Sequence, residues 1–477
     1  MLYLKKDNKK KAFWIVFITL MAASVLTFGI RVHLWRFPQV TDGQAITLSS
    51  QYRMGSIYDR YGNTIVTGGE SPGTMNWQID EDLQPAFTNL VGADISETMN
   101  SKMTVLGCCP WLFGSEDERL SLEYFLQPGK NRTGGDVWLS IDNRLQEYIY
   151  ELLQSADSES AAVVVSNYTT GEILAAVSTP SFSPGETVSR DQNGVLNDVR
   201  AFSQTVSRRF HPGSTIKPIL AAIALDIDPG LENFQYDCCE ANHIFHTEDG
   251  QTIQIHCSGN ALHGIVGMSE AMACSCNGYF IALLQQLPRE KLEKKLKAWG
   301  FDTVTEYPFF FWDASFFGDA ESREEDKLFS AIGQGNAYIT PVQLNAFTNA
   351  ILNGGSYKEP AMVLGKSSGN TKNLQECLLT DKLYSVCSKD SAEKTKEMML
   401  EVTVSGTGTE FYLPGFAAKT GTAENEDGSA TIWTTGGLTD LSTPYSVTVC
   451  LDRTEQGSPY AGKIAQKILV YIQEEEQ

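Results

Sequence analysis

An uncharged run near the start of the chain narrows its possible architectures more than any other feature. From Ala12 to Ile30 no Asp, Glu, Lys or Arg appears. A helix of that length, rising 1.5 Å per residue, would reach about 28 Å, close to the hydrocarbon thickness of a bilayer. The run predicts one membrane span over 12–30, preceded by a cytoplasmic tail, 1–11. Lys5, Lys6, Lys9, Lys10 and Lys11 crowd before it, against Arg31 and Arg36 just after. This positive-inside bias places the N-terminus in the cytoplasm and everything from Arg31 outside the cell membrane. Arg31-Val32-His33-Leu34-Trp35 lacks the small residues of a leader-cleavage site, which favours an uncleaved anchor.

A chain of 477 residues exceeds one ordinary core, so two folded domains are expected. A formal net charge of −21 argues against nucleic acid as a partner. Residues 31–135 read as a small, irregular, membrane-proximal domain, rich in turn formers such as Gly68-Gly69 and Ser71-Pro72-Gly73. The segment from Gln127 to Gly135 marks a boundary, and 136–477 reads as the second domain. There, Ala161–Ser166 and Glu172–Ser178 have the pattern of a hairpin, and Phe416–Ala423, Ala430–Leu438 and Tyr445–Asp452 add strands from the far end. Helical periodicity near 216–225, 268–287, 289–299 and 341–352 supplies the cover. The fold class expected is therefore mixed α/β, an antiparallel sheet with helices on both faces.

Placement outside the membrane allows the ten cysteines to be oxidised. A disulfide from Cys238 or Cys239 to Cys257 is expected, pinning the loop around Glu248-Asp249-Gly250. His243, His246, His256 and His263 lie near these cysteines, but no pair has the short ligand spacing of the usual zinc sites, so neither metal nor cofactor is expected.

Three short segments carry chemistry. Ser214-Thr215-Ile216-Lys217 follows the turn formers His211-Pro212-Gly213 and opens an apolar stripe of helical period. Ser214 then lies at a helix N-terminus, with Lys217 one turn on and on the same face. A serine hydroxyl becomes a strong nucleophile only when a base takes its proton, and an amine serves as that base if burial or another cation lowers its pKa. A second cation is available in Lys419-Thr420-Gly421-Thr422, where strand alternation puts Lys419 and Gly421 on one face and leaves room for a substrate backbone. Ser275-Cys276-Asn277 breaks an apolar helical stretch, and Ser275 and Asn277 are placed to relay a proton and hold an amide.

Each spacing recurs elsewhere: Ser391 to Lys394 repeats the serine–lysine interval, and Ser258-Gly259-Asn260 and Ser368-Gly369-Asn370 repeat the serine–asparagine one. Ser391 opens a charged run that reads as a solvated helix face, and the other two sit in glycine-containing loops. Taken in order, Ser214 to Lys217, Ser275 to Asn277 and Lys419 to Gly421 resemble the three active-site motifs of penicillin-binding proteins. The stretches Asp136 to Asp142, Gly171 to Ala175, Ser178 to Phe182, Ile332 to Gly335, Thr340 to Gln343 and Gly406 to Gly408 are similar to that family too. The likeness covers about residues 136–470. A single anchor without a glycosyltransferase domain, together with Gly55 to Arg60 and Gly62, resembles the class B, monofunctional members. Met54 between Arg53 and Gly55, and the short first domain, depart from that class.

The resemblance implies a transpeptidase fold like that of serine β-lactamases and a peptidoglycan D,D-transpeptidase activity. Ser214 would attack the D-Ala-D-Ala carbonyl of a stem peptide, with Lys217 as general base. Backbone N–H groups of Ser214 and Thr422 would form the oxyanion hole. Ser275 and Lys419 would pass a proton to the leaving D-alanine, Asn277 would hold the substrate amide, and Thr420 and Thr422, beside Gly421, would bind its carboxylate. It also implies β-lactams as covalent inhibitors, a lipid-linked precursor as substrate source and a glycan-polymerising membrane partner. The same residues serve a D,D-carboxypeptidase or β-lactamase if water is the acceptor, and a largely structural subunit of a wall-synthesis complex would keep the fold alone.

Overall fold

The computed structural model describes residues 14, 17–21, 53–92, 108–113 and 133–475, with breaks at 190–191, 193–197, 202, 303–304, 308–309, 313–314, 319–321, 368–372, 375 and 426. Most of the expected span over 12–30 lies outside the described residues, and among those described no helix is long and apolar enough to cross a membrane.

Five strands make the central sheet: β1 (Ser160–Asn167), β2 (Ile173–Thr179), β3 (Phe416–Glu424), β4 (Ala430–Leu438) and β5 (Tyr445–Thr454). All neighbours pair antiparallel in the order β3-β4-β5-β1-β2, so the two ends of the domain join at the β5–β1 ladder. The run Ala162-Val163-Val164-Val165 in β1 is buried at every position, so both faces of the sheet are covered.

The helices that matter for the site are α1 (Asn143–Gln154), α2 (Lys217–Ile227), α3 (Met268–Ala273), α4 (Asn277–Gln285), α5 (Pro341–Leu352), α6 (Lys389–Val404) and α7 (Pro459–Glu475). Helix α1 starts where the Asp142 carboxylate accepts the Arg144 and Leu145 N–H groups at 3.0 and 3.3 Å. Its buried Gln146 side chain bonds both the N–H and the carbonyl of Ala176 in β2. Tyr148 stacks on Tyr471 of α7 with centroids 4.2 Å apart, and α7 packs along β3, β4 and β5. Helix α5 is buried along its whole length. Its polar residues are matched to the sheet: Asn345 and Asn349 bond Ser166 and Ser446, and Thr348 bonds Thr435. Helix α6 packs on β3 and on α2, which brings α2 to the end strand of the sheet.

A second, six-stranded sheet runs Glu376–Cys377, Val363–Ser367, Asp136–Leu139, Ile57–Tyr58, Thr64–Gly68, Met75–Trp77. Ile57 and Tyr58 pair parallel to Val137 and Trp138, and the Asp136 carboxylate accepts the Ser56 N–H at 2.7 Å. The approach is tight enough that a Cβ on Gly55 would lie 1.9 Å from the Gly135 carbonyl oxygen. Asp59 closes the following hairpin by accepting the N–H groups of Tyr61 and Asn63, and Gly62 takes φ 85° in the same turn. Residues 55–62 thus brace the start of the second region, and hydrogen bonding runs across the change of sequence pattern at 135/136.

Candidate active site

The turn holding Ser214 is clamped from three sides. Trp433 of β4 donates its indole N–H to the His211 carbonyl at 2.9 Å, and Gly213 donates to the Gly333 carbonyl at 3.0 Å. A Cβ on Gly333, at φ 73°, would lie 2.1 Å from the Gly213 oxygen; one on Gly213, at φ 54°, would lie 2.5 Å from the Thr422 oxygen. These two glycines allow backbone-on-backbone approach that no other residue permits. Residues Gly213–Ile216 form a 3-10 turn that continues into α2 at Lys217. Half-buried Ser214 therefore stands at the helix N-terminus with Lys217 one turn on, as the spacing predicts.

Lys217 is fully buried, and its Nζ donates to the Ser275 carbonyl at 2.7 Å, the Ser275 hydroxyl at 3.1 Å and the Asn277 Oδ1 at 2.8 Å. Three acceptors match the three protons of an ammonium. Burial opposes them and pushes the Lys217 pKa down to about 8. Lys419 on β3 is equally buried and donates to the same Ser275 hydroxyl at 3.0 Å and to the Thr420 carbonyl at 3.1 Å. Desolvation, and then the neighbouring Lys217 charge, hold the Lys419 amine well below its usual range. One serine oxygen thus bridges two buried amines, an arrangement in which both cannot stay charged without strong mutual repulsion.

Ser275 reaches this position because the apolar stretch 268–287 is two helices. It sits between α3 and α4 at φ 58°, a left-handed conformation costly for a residue with a Cβ. Cys276 caps α4, its sulfur accepting the Tyr279 N–H at 3.4 Å. Ser275 and Asn277 consequently face the lysines and Cys276 faces away. The Asn277 amide also donates to the His256 carbonyl at 2.8 Å.

Three expectations need correction. The space beside Gly421 is filled by the chain itself: a Cβ there would lie 2.8 Å from the Pro212 oxygen and 2.9 Å from Thr215 Cγ2, so the missing side chain admits the Ser214 turn, not a substrate. The expected disulfide is not formed either. Cys238 and Cys257 are both buried and free with sulfurs 3.9 Å apart, whereas Cys239 is exposed. Of the repeated spacings, Ser391 is buried as part of a helix cap with Ser388, not solvated, and Ser258-Gly259-Asn260 forms a separate turn. Residues 368–370 lie outside the described residues.

Thr420 is buried and shares a 2.8 Å hydroxyl contact with Thr407; Thr422 is exposed at the end strand. Thr407 is a site residue that motif reading leaves without a role. Its N–H bonds the Ala273 carbonyl at 3.1 Å, and a Cβ on Gly406 would lie 2.3 Å from that same oxygen. The signal was present in Gly406-Thr407-Gly408, a threonine between glycines, but only the fold carries it to Thr420.

Residues 161–470 match the family model of the penicillin-binding protein transpeptidase domain. Peptidoglycan D,D-transpeptidase MrdA of Acinetobacter baumannii is 28% identical over 308 residues, covering 61% of this chain and 45% of the relative. Stage V sporulation protein D of Bacillus subtilis is 27% identical over 308 residues, with the same two shares. The aligned part thus spans about half the length of these curated relatives. In three dimensions, an imipenem acyl-enzyme complex of penicillin-binding protein A from M. tuberculosis matches with a TM-score of 0.74 at 22% identity, covering 90% of this chain and 99% of that one. Because the family model spans well over half of the sequence, and the fold agrees along nearly its whole length, the chain belongs to the penicillin-binding protein transpeptidase family.

Proposed function

We propose that this protein is a class B, monofunctional D,D-transpeptidase that cross-links peptidoglycan stem peptides. The observation that carries the reading is the Ser275 hydroxyl held between the buried amines of Lys217 and Lys419, with Lys217 one helical turn from Ser214. Burial keeps the Lys217 amine near the acidity at which it accepts a proton at neutral pH. Lys217 takes the Ser214 proton as the serine oxygen attacks the carbonyl of the penultimate D-alanine. The backbone N–H groups of Ser214 and Thr422, on segments that touch through Gly213, receive the developing oxyanion. Preorganised donors of this kind each contribute about 3 kcal/mol.

Collapse of the tetrahedral intermediate breaks the amide bond. The leaving D-alanine amine takes its proton through Ser275, whose hydroxyl touches both lysines. Asn277 holds the stem-peptide amide, and Thr420 and Thr422 bind the terminal carboxylate. A second stem-peptide amine then attacks the Ser214 ester and completes the cross-link. β-Lactams enter as donor mimics and leave a long-lived ester on Ser214. The anchor over 12–30 keeps the catalytic region at the outer face of the cell membrane, within reach of lipid-linked precursor and a glycan-polymerising partner.

Fluorescent penicillin tests this directly. The intact protein is expected to take up label covalently and the Ser214→Ala variant to take up none; equal labelling of the two overturns the assignment. A donor peptide that only hydrolyses, with or without an acceptor amine, would replace the transpeptidase by a carboxypeptidase.

A further inference from the structure

Between Ser275 and Asn277, which serve the lysines, Cys276 points into a different environment. Its sulfur lies 3.8 Å from that of Cys257, and Cys257 lies 3.9 Å from Cys238. Cys238 Sγ is in turn 3.4 Å from His263 Nδ1. Among the described residues, one ligand atom from each of Cys238, Cys257, His263 and Cys276 falls within 4.8 Å of the other three. The three thiols are buried and free.

Distances separate the readings of this cluster. A disulfide needs sulfurs about 2.05 Å apart and would leave the third thiol and the imidazole unexplained. A tetrahedral zinc ion, with bonds of about 2.3 Å to sulfur and about 2.0 Å to nitrogen, sets its sulfurs about 3.8 Å apart and sulfur and nitrogen about 3.5 Å apart. The contacts of 3.8, 3.9 and 3.4 Å correspond to those edges.

The surroundings suit bound thiolates. Tyr236 places its hydroxyl 3.0 Å from His243 Nδ1, and His243 Nε2 sits 3.5 Å from Cys238 and 3.7 Å from Cys257. With the phenol donating to Nδ1, the ring proton is on Nε2 and points at two sulfurs. At the start of α4, the Asn277 N–H donates to Cys257 at 3.3 Å and the Tyr279 N–H to Cys276 at 3.4 Å. Donors converging on sulfur from a helix N-terminus and an outer imidazole favour anionic ligands. Gly278 permits this contact: a Cβ there would lie 2.7 Å from the Tyr236 ring and 3.0 Å from His243.

We propose that Cys238, Cys257, Cys276 and His263 form a structural site for a borderline-soft divalent cation of the zinc type. Four protein ligands fill a tetrahedral shell and leave no position for a reacting water. The site joins four separate pieces: the end of strand Tyr236–Cys238, the second residue after strand Thr252–Ile255, the residue before strand Gly264–Val266, and the cap of α4. Its effect is to lock the 275–277 segment from behind. Ser275 and Asn277 are positioned by the metal without touching it.

The test uses the full chain, purified without chelator. Elemental analysis is expected to find about one zinc per chain, falling to background in Cys257→Ser and Cys276→Ser and retained in Cys387→Ser, a buried thiol outside the cluster. Because a ligand variant can fail to fold, the unaltered chain is also stripped with chelator and reloaded with cobalt(II). Intense visible bands of tetrahedral cobalt with thiolate charge transfer in the near ultraviolet are expected. A chain that holds no metal as purified and gives only the weak spectrum of solvated cobalt overturns the proposal, as does a native Cys238–Cys257 disulfide found by mass spectrometry. Neither readout uses substrate, so failure here leaves the transpeptidase reading intact.

Discussion

The segment 275–277 separates two polar centres of opposite character. On one side, two buried amines share a serine hydroxyl and an asparagine oxygen; on the other, three thiols and an imidazole converge within 4.8 Å. The amine centre begins one helical turn from half-buried Ser214, and burial of two neighbouring amines disfavours their charged forms. The sulfur centre is enclosed by His243, Tyr236 and α4, and the proposed metal would fix it in place. In the proposed reading one carries chemistry and the other carries position, and a single residue step in the chain divides them.

The largest expected effect falls on the amine side. Lys217→Met should cut the rate of penicillin acylation on the order of 10³-fold, the usual worth of a positioned general base, while bound metal stays unchanged. Stopped-flow acylation and elemental analysis on the same preparation check both halves. Loss of metal in this variant would mean that the two centres are one. On the sulfur side, Cys257→Ser should abolish metal binding and slow acylation by about 10- to 100-fold, because Ser275 and Asn277 lose their backing. Acylation that is unaffected in the metal-free variant would break the positional link.

Acidity distinguishes the two sides more finely. The folded pKa of Lys217 is depressed to about 8, below the usual lysine value of 10.5. Its free-amine form therefore grows as pH rises through about 8, and acylation should climb roughly tenfold per pH unit below that point and level off above it. The stability sign agrees. The folded state releases this proton before the unfolded chain does, so the burial penalty is fully present below about pH 8 and is relieved as pH rises towards 10.5. A flat acylation profile between pH 6 and pH 9 would remove Lys217 from the base role.

The two centres also differ in how far the sequence reveals them. Ser214 and Lys217 lie within one turn, and a helix period alone brings them together. Ser275, Asn277 and Lys419 were found because the order of the motifs is itself a pattern. The sheet was readable too, since β1 and β2 flank a short turn and β3 to β5 follow one another. The sulfur ligands offer no such pattern. Cys238, Cys257, His263 and Cys276 fall at intervals of 19, 6 and 13 residues, and only the folding of 236–266 against α4 sets their atoms together. Cys238, Cys239 and Cys257, in a segment expected outside the cell membrane, suggested a disulfide, and Cys276, inside the Ser275–Asn277 motif, was not counted with them. Gly421 was misread for a related reason: alternation gives the face of a strand but not what lies against it.

Thr407 provides the smallest and most local test. Its hydroxyl meets that of Thr420 at 2.8 Å, and its N–H holds the Ala273 carbonyl, two residues before Ser275. It therefore belongs to the amine side, bracing β3 and the end of α3 without reaching the sulfurs. Thr407→Val keeps the side-chain shape but leaves the largely buried Thr420 hydroxyl without that partner, a loss of about 1 kcal/mol, or about fivefold. Since the proposed mechanism gives Thr420 the substrate carboxylate, the loss should appear in KM for a donor peptide more than in kcat, and Thr407→Ser should restore it. Metal content should not change in either variant. An effect on metal and none on KM would assign residues 406–408 to the sulfur side and redraw the division at α3.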